Sequence, residues 1–225
     1  MPPGRALSAV LFDWDGTLLN SYHADSQAYL AVFRELGLTW GLRELDEHYS
    51  PDWYTVYTKA GIPKERWDRA DSLWRSHYAK HPSKLMTGAR SVLRQLLRRH
   101  KLGLVTSGDR VRVVRRLREF QLTRLFRARV CGGDLKEKKP HPAPLLLALK
   151  KMKLEAEECV YVGDTSEDME MAHAAHVRSV GVLGPFPTEK RLRAAKPEFL
   201  LRNLSELPAL LSKIYGQTNG TRRRT

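Results

Sequence analysis

Leu11-Phe12-Asp13-Trp14-Asp15-Gly16-Thr17-Leu18-Leu19-Asn20-Ser21 joins the end of an apolar run to two carboxylates. The run, Ala9-Val10-Leu11-Phe12, has the length and composition of a buried strand. Asp13 and Asp15 come next at a spacing of two, which on an extended backbone turns both side chains to one face. Gly16 ends the strand. Desolvating two like charges together is costly unless a cation or protons compensate, so the pair implies a bound group where the strand runs out.

Around this stretch, 225 residues are enough for one domain, or one domain carrying an insertion. Hydrophobic residues at 42% and charged ones at 28% are ordinary for a globular protein, which excludes collagen-like and disordered classes. The opening MPPGRALSAV holds no apolar stretch of signal-peptide length, and no window reaches that of a membrane-crossing helix. A cytoplasmic protein with no membrane partner, monomeric or homodimeric, is expected. Cys131 and Cys159 each sit at the edge of a predicted buried strand and read as core thiols.

The formal charge is +14, and between residues 90 and 129 thirteen Lys or Arg face only Asp109 and Glu119. Such a surplus suits the solvated outer faces of two helices. A nucleic-acid or polyanion surface is the alternative, although no aromatic interleaving accompanies the charge. The end of the chain, residues 217–225 with Arg222-Arg223-Arg224, reads as a disordered basic tail.

Downstream of Ser21, helical periodicity runs through Tyr29, Leu30, Val32, Phe33 and Leu36 to a stop at Gly37. Further helices are predicted over residues 43–60, with a break near Pro51, and 64–79. Nothing between Asn20 and Leu85 reads as a buried strand. This block carries Trp40, Trp53, Trp67 and Trp74, which suit its own core; a substrate pocket is the other use for them. From Thr87 helices alternate with strands: helices over residues 89–99, 111–120, 143–152 and 167–175, strands over 101–106, 127–131, 159–162 and 179–183. Alternation of this kind predicts an α/β fold, a parallel sheet with helices on both faces whose ligands bind at the carboxyl ends of the strands.

Reactive side chains gather at those strand ends. The first strand ends in Asp13 and Asp15, the second in Thr106-Ser107-Gly108, and a late one in Gly163-Asp164-Thr165-Ser166-Glu167-Asp168. Hydroxyl and amide donors beside several carboxylates suit a phosphate held next to a divalent metal, and all-oxygen ligands suit Mg2+. Lys139, just before Pro140, is the leading counter-charge, with Lys136 and Lys138 as substitutes.

These segments resemble, over nearly the whole chain, the haloacid dehalogenase-like hydrolase superfamily, and within it the phosphoglycolate phosphatase-like group. Asp13 to Thr17 looks like its first motif, Thr106 its second, Lys139 its third, and Gly163 to Asp168 its fourth. The resemblance implies a Rossmann-like core of residues 1–19 and 85–216 and an inserted helical cap of residues 20–84, with Leu18 to Ser21 as hinge. It implies a magnesium-dependent phosphatase acting on a small phosphorylated metabolite. Asp13 would be the nucleophile and Asp15 the acid and base; Thr106, Ser107, Gly108 and Lys139 would hold the phosphoryl group. The metal would lie on the Asp13 carboxylate, the Asp15 carbonyl, Asp164 and, directly or through water, Asp168.

One departure is His176 after Ala174-Ala175, where the family often has glycine. His23 and His173 read as helix-surface residues. Two alternatives remain open: a sugar phosphate mutase, whose histidine near the cap's start corresponds to Asp25 with His23 close by, and a nucleic-acid end phosphatase or binding protein using the basic surface.

Overall fold

The computed structural model describes residues 6–216, so the expected basic tail lies outside the described residues. The chain opens with β1 (Ala9–Phe12), β2 (Leu19–Asn20), α1 (Tyr22–Glu35), α2 (Leu42–Glu47), α3 (Trp53–Lys59), α4 (Trp67–Tyr78) and β3 (Lys84–Leu85). It continues with α5 (Ala89–Leu96), β4 (Lys101–Asp109), α6 (Arg110–Glu119), β5 (Phe126–Gly132), α7 (Ala143–Met152) and β6 (Cys159–Gly163). It closes with α8 (Ser166–Ala174), β7 (Arg178–Val182), α9 (Glu189–Ala194), β8 (Phe199–Leu201) and α10 (Leu207–Tyr215).

Six strands form one sheet in the order β5-β4-β1-β6-β7-β8, and every neighbouring pair is parallel. Alternation along β1 divides the core in two. Val10 and Phe12 pack with Val92, Leu93, Val113, Leu117, Leu207 and Leu211 from α5, α6 and α10. Ala9 and Leu11 face Leu145, Ala148, Leu149, Met171 and Ala172 from α7 and α8. Both faces are therefore covered, as a parallel sheet requires. Because β1 lies between β4 and β6, the connections after β1 (to β4) and after β6 (to β7) leave in opposite directions, which opens a crevice at the carboxyl ends of these two strands.

The insertion after β1 is helical, with a core of its own around Tyr29, Val32, Phe33, Leu45, Val56, Tyr57 and Ala70. Trp40, Trp53, Trp67 and Trp74 pack against that core. No buried strand lies within the insertion among the described residues, as expected, but its two ends are joined by a short, partly exposed pairing. The segment read as a hinge pairs antiparallel with the chain's return, Leu19 with Leu85 and Asn20 with Lys84, so a two-stranded ribbon links the helical module to the sheet. Cys131 and Cys159 are free and buried. His176 exits α8 at φ +56, the left-handed region glycine takes more readily. No helix of the described residues is long and apolar enough to cross a membrane.

Candidate active site

Asp13 leaves β1 with its amide donating to the Val162 carbonyl at 2.9 Å, which fixes it beside β6. Its Oδ1 accepts from Lys139 Nζ at 2.6 Å. The same ammonium donates to Asp168 Oδ1 at 2.7 Å and to the Tyr161 hydroxyl at 2.8 Å, so all three of its protons are engaged. Lys139 is buried at 8% exposure, and burial alone would lower its pKa; the Asp13 and Asp168 charges instead hold it above the usual lysine range. Lys136 and Lys138 do not take this place. Lys138 turns to the helical module, where it meets Asp52 at 3.4 Å and lies 4.5 and 4.4 Å from the Trp53 and Tyr54 ring centroids.

Asp168 is the anchor of this lysine. Its Oδ1 takes Lys139 and faces the Tyr161 hydroxyl at 3.0 Å; its Oδ2 takes the Thr165 amide and hydroxyl at 3.2 and 2.8 Å. Thr165 in turn caps α8, accepting from the Asp168 amide. Asp164, fully buried, accepts from Thr17 Oγ1 at 3.0 Å through Oδ1, while its Oδ2 has no partner among the described residues. Gly16 makes room for that oxygen: its φ is +84, and a Cβ there would lie 2.1 Å from Asp164 Oδ2. Burial pushes the Asp13 carboxyl up to about 7 against the pull of Lys139, with Asp168 adding to the rise. Burial, then the Asp13 and Asp168 charges, push Asp164 well above the carboxylate range.

Asp15 lies in a different field. Burial, the largest single influence, would raise it, but Arg112, the Ser21 hydroxyl and the Lys139 charge together hold its carboxyl below the usual range. Arg112 grips both oxygens, Nη1 to Oδ1 at 2.9 Å and Nη2 to Oδ2 at 2.6 Å, and Ser21 donates to Oδ1 at 2.7 Å. Two carboxylates two residues apart are thus shifted in opposite directions. Beside them Thr106 is buried and its Oγ1 accepts from the Gly108 amide at 3.0 Å, leaving its own proton available.

The basic stretch also needs correction. Arg112 faces the site, not solvent, and several companions are already paired: Arg110 with Asp134, Arg115 and Arg116 with Glu119, and Arg90 with the Phe120 carbonyl. Arg94, Arg98 and Arg118 remain on the outer faces, as expected.

A cavity of about 450 Å3 lies over this edge, bounded below by Asp13, Thr106 and Lys139 and above by Trp53, Tyr54 and Trp74. Ser107 and Gly108 line it too, whereas Asp164 lies beneath. The helical module's aromatic residues therefore serve as its core and as the cavity's roof. His23 is exposed and meets the His81 ring edge-on, while Asp25 lines the cavity. Arg112 and Tyr161 join the site without any local pattern that marks them, whereas Ser21 ends the opening stretch and Asp25 follows one turn later. Arg112 is hidden by the many arginines around it, and its pairing with Asp15 spans 97 positions.

For a metal the donor set fits. One carboxylate oxygen from each of Asp13, Asp164 and Asp168 lies within 4.8 Å of the others, and the unpartnered Asp164 Oδ2 lacks a cation or donor. Oxygen-only ligands match a hard dication such as magnesium.

Residues 10–182 match the haloacid dehalogenase-like hydrolase family. The chain is 29% identical over 221 residues to the pyrophosphatase PpaX of Bacillus pumilus (strain SAFR-032), covering 91% of this chain and 96% of that one. Among solved structures it is similar to a predicted phosphoglycolate phosphatase from Haemophilus somnus 129PT, with TM-score 0.82 and 21% identity over 91% of this chain and 97% of that one. It is similar as well to a haloacid dehalogenase-like family hydrolase from Streptococcus pneumoniae, with TM-score 0.79 and 21% identity over 91% and 98%. The sheet order, the helical insertion directly after β1 and the buried aspartates agree with the match along the sequence: the chain belongs to the haloacid dehalogenase-like hydrolase family.

Proposed function

We propose that this hydrolase is a magnesium-dependent phosphatase that cleaves a small phosphomonoester through an aspartyl phosphate on Asp13. The observation that carries the reading is the division of labour within one crevice. Asp13 is held by Lys139, Asp15 stands apart from that lysine on Arg112, and Thr106 with the Gly108 amide faces the same space. Residues 20–84 serve as a cap over a core of residues 1–19 and 85–216. The name of the Bacillus relative makes inorganic pyrophosphate a candidate substrate beside phosphorylated metabolites.

In this reading an Asp13 oxygen attacks phosphorus, an O–P bond forms, and the bond to the leaving oxygen breaks as that oxygen takes a proton from Asp15, which carries one once its carboxylate is released from Arg112. Asp15 then takes a proton from the water that attacks the aspartyl phosphate, which restores Asp13 and releases phosphate. Thr106 and the Ser107 and Gly108 amides hold the phosphoryl oxygens, and Lys139 offsets their charge. Asp13, Asp164 and the Asp15 carbonyl would hold magnesium, with Asp168, its oxygens already engaged, acting through water. Bound there, the dication supplies positive charge that keeps these carboxylates ionised and draws the phosphate oxygens in.

Asp13→Asn tests this. With magnesium and a panel of phosphate esters, the variant is expected to release no phosphate while its circular dichroism and cooperative unfolding stay those of the wild type. Wild-type turnover in the variant would falsify the mechanism.

A further inference from the structure

Tyr161, the middle residue of β6, is fully buried, and its ring belongs to the apolar layer of Leu11, Val105, Ala148 and Met171. Packing in that layer needs only the ring, since a buried hydroxyl is a cost unless it is hydrogen-bonded. This one is. It accepts from Lys139 Nζ at 2.8 Å and donates to the Val105 carbonyl at 2.9 Å, with Asp168 Oδ1 at 3.0 Å as a second acceptor. Because β1 stands between β6 and β4, the side chain spans the strand that leads into Asp13 and ends on the carbonyl just before Thr106.

Lys139 needs such a contact. It comes from the stretch between β5 and α7, where no helix or strand lies between Gly132 and Ala143, so its position depends on what its side chain meets. Asp13 and Asp168 take two of its three protons. Two contacts leave the nitrogen free to swing about the line joining them and would leave the third proton buried without an acceptor, which is costly. Tyr161 supplies the third contact. Its oxygen is neutral, so it adds no repulsion to the carboxylates of Asp13, Asp164 and Asp168 already gathered within 4.8 Å. Through the Val105 carbonyl it also ties the ammonium to the strand that carries Thr106.

We propose that Tyr161 is a positioning residue whose hydroxyl holds the Lys139 ammonium against Asp13 and sets its place relative to the phosphate loop at Thr106. The proposal rests on the phosphatase reading and adds a residue that acts through Lys139 without touching substrate. A charge aimed in advance at the transferring phosphoryl group stabilises it more than one that must first be brought into line. The hydroxyl therefore acts on turnover. Ground-state binding, which rests on Thr106 and the amides of Ser107 and Gly108, depends on it less.

The test sets Tyr161→Phe, which removes the hydroxyl and keeps the ring, beside Tyr161→Met, which gives up both. With magnesium and the ester the wild type hydrolyses fastest, kcat is expected to fall by at least about tenfold in both variants, the order of one hydrogen bond to a charged group. KM is expected to stay within about threefold. A ring that merely packs predicts the opposite pattern, wild-type kcat in Tyr161→Phe and loss in Tyr161→Met alone, and that pattern overturns the proposal. The ammonium is also read directly, through the side-chain 15N resonance of Lys139, assigned by its disappearance in Lys139→Met. Held by three acceptors, its protons should exchange with water more slowly than those of exposed lysines, and Tyr161→Phe should quicken that exchange by at least about tenfold. Exchange as fast as at exposed lysines in the wild type, or an unchanged rate in Tyr161→Phe, overturns the proposal. This measurement needs no turnover, so a wild type that hydrolyses no ester counts against the phosphatase reading while the resonance still decides the role of Tyr161.

Discussion

Asp25 carries a strain that the closeness of helical module and sheet creates. Burial first, then the Asp15 charge, push its carboxyl up to about 8 from 3.8, against the opposing pull of Arg112. A carboxyl raised on folding binds an extra proton in the native state. Its contribution to stability is therefore full below pH 3.8 and is lost as pH rises through about 8. Asp25→Asn removes that loss. The variant should match the wild type near pH 4 and exceed it at pH 9 by about 1–3 kcal/mol, less than the full ~1.36 kcal/mol per pK unit because the cavity admits water. Urea unfolding across this range measures it, and parallel curves for the two proteins would exclude the effect. At this scale the sequence reveals what is local. Asp13, Asp15, Thr106, Lys139 and Asp164 each come after a strand or before a turn in a short pattern, and the structure brings them to one edge. Arg112 and Tyr161 take their meaning from partners far along the chain, and no window of sequence holds both halves of such a pair.

Helix α6 shows how one element delivers a side chain. Asp109 ends β4 and caps α6, its Oδ1 accepting from the Val111 and Arg112 amides at 3.0 and 3.1 Å. Those amides would otherwise lack partners in the first turn. The same turn aims Arg112 inward while Val111 stands 77% exposed. Asp109→Ala should lower the unfolding free energy by about 1 kcal/mol, and Asp109→Asn should keep most of it, since Asn caps as well as Asp. Chemical denaturation of the three proteins decides; equal stability for wild type and Asp109→Ala would show that the cap does nothing. Elements of strong periodicity were legible: helix 143–152 coincides with α7, and β1, β4, β6 and β7 lie where apolar runs predict them. Short ones were not. β2 and β3 have two residues each, β8 three and α9 six, too few for a period to declare itself, and only long-range pairing with β7 or across the ribbon makes the short strands strands.

For the whole molecule the question is what keeps the helical module over the sheet. Beyond the ribbon and the contact of Arg112 with Tyr78 and Trp74, the two parts meet at two further places. Phe186, in the loop after β7, meets Tyr22 edge-on at 5.4 Å and stacks on Tyr49 at 4.8 Å, and Arg191 donates to the Tyr49 carbonyl. On the other side Lys138 reaches Asp52, Trp53 and Tyr54. The fold class and the presence of the insertion could be read from the order of apolar runs, but this docking could not, because it joins loops with no pattern of their own. Its strength is modest. The Lys138–Asp52 pair is about one-third exposed at both ends and separated by 3.4 Å, so solvent screens most of it. The ammonium against two aromatic faces contributes more, about 0.5–1 kcal/mol for a partly exposed cation. Lys138→Ala should therefore loosen the module without unfolding the sheet. Amide exchange in α3 is expected to quicken by about fivefold, the equivalent of ~1 kcal/mol, while β6 amides keep wild-type protection. Equal quickening in both segments would mean global destabilisation, and none in α3 would mean that Phe186, Arg112 and the ribbon hold the module without Lys138. A selective effect would make the roof of the cavity less stable than the sheet beneath it, the order expected if the module opens to admit a ligand.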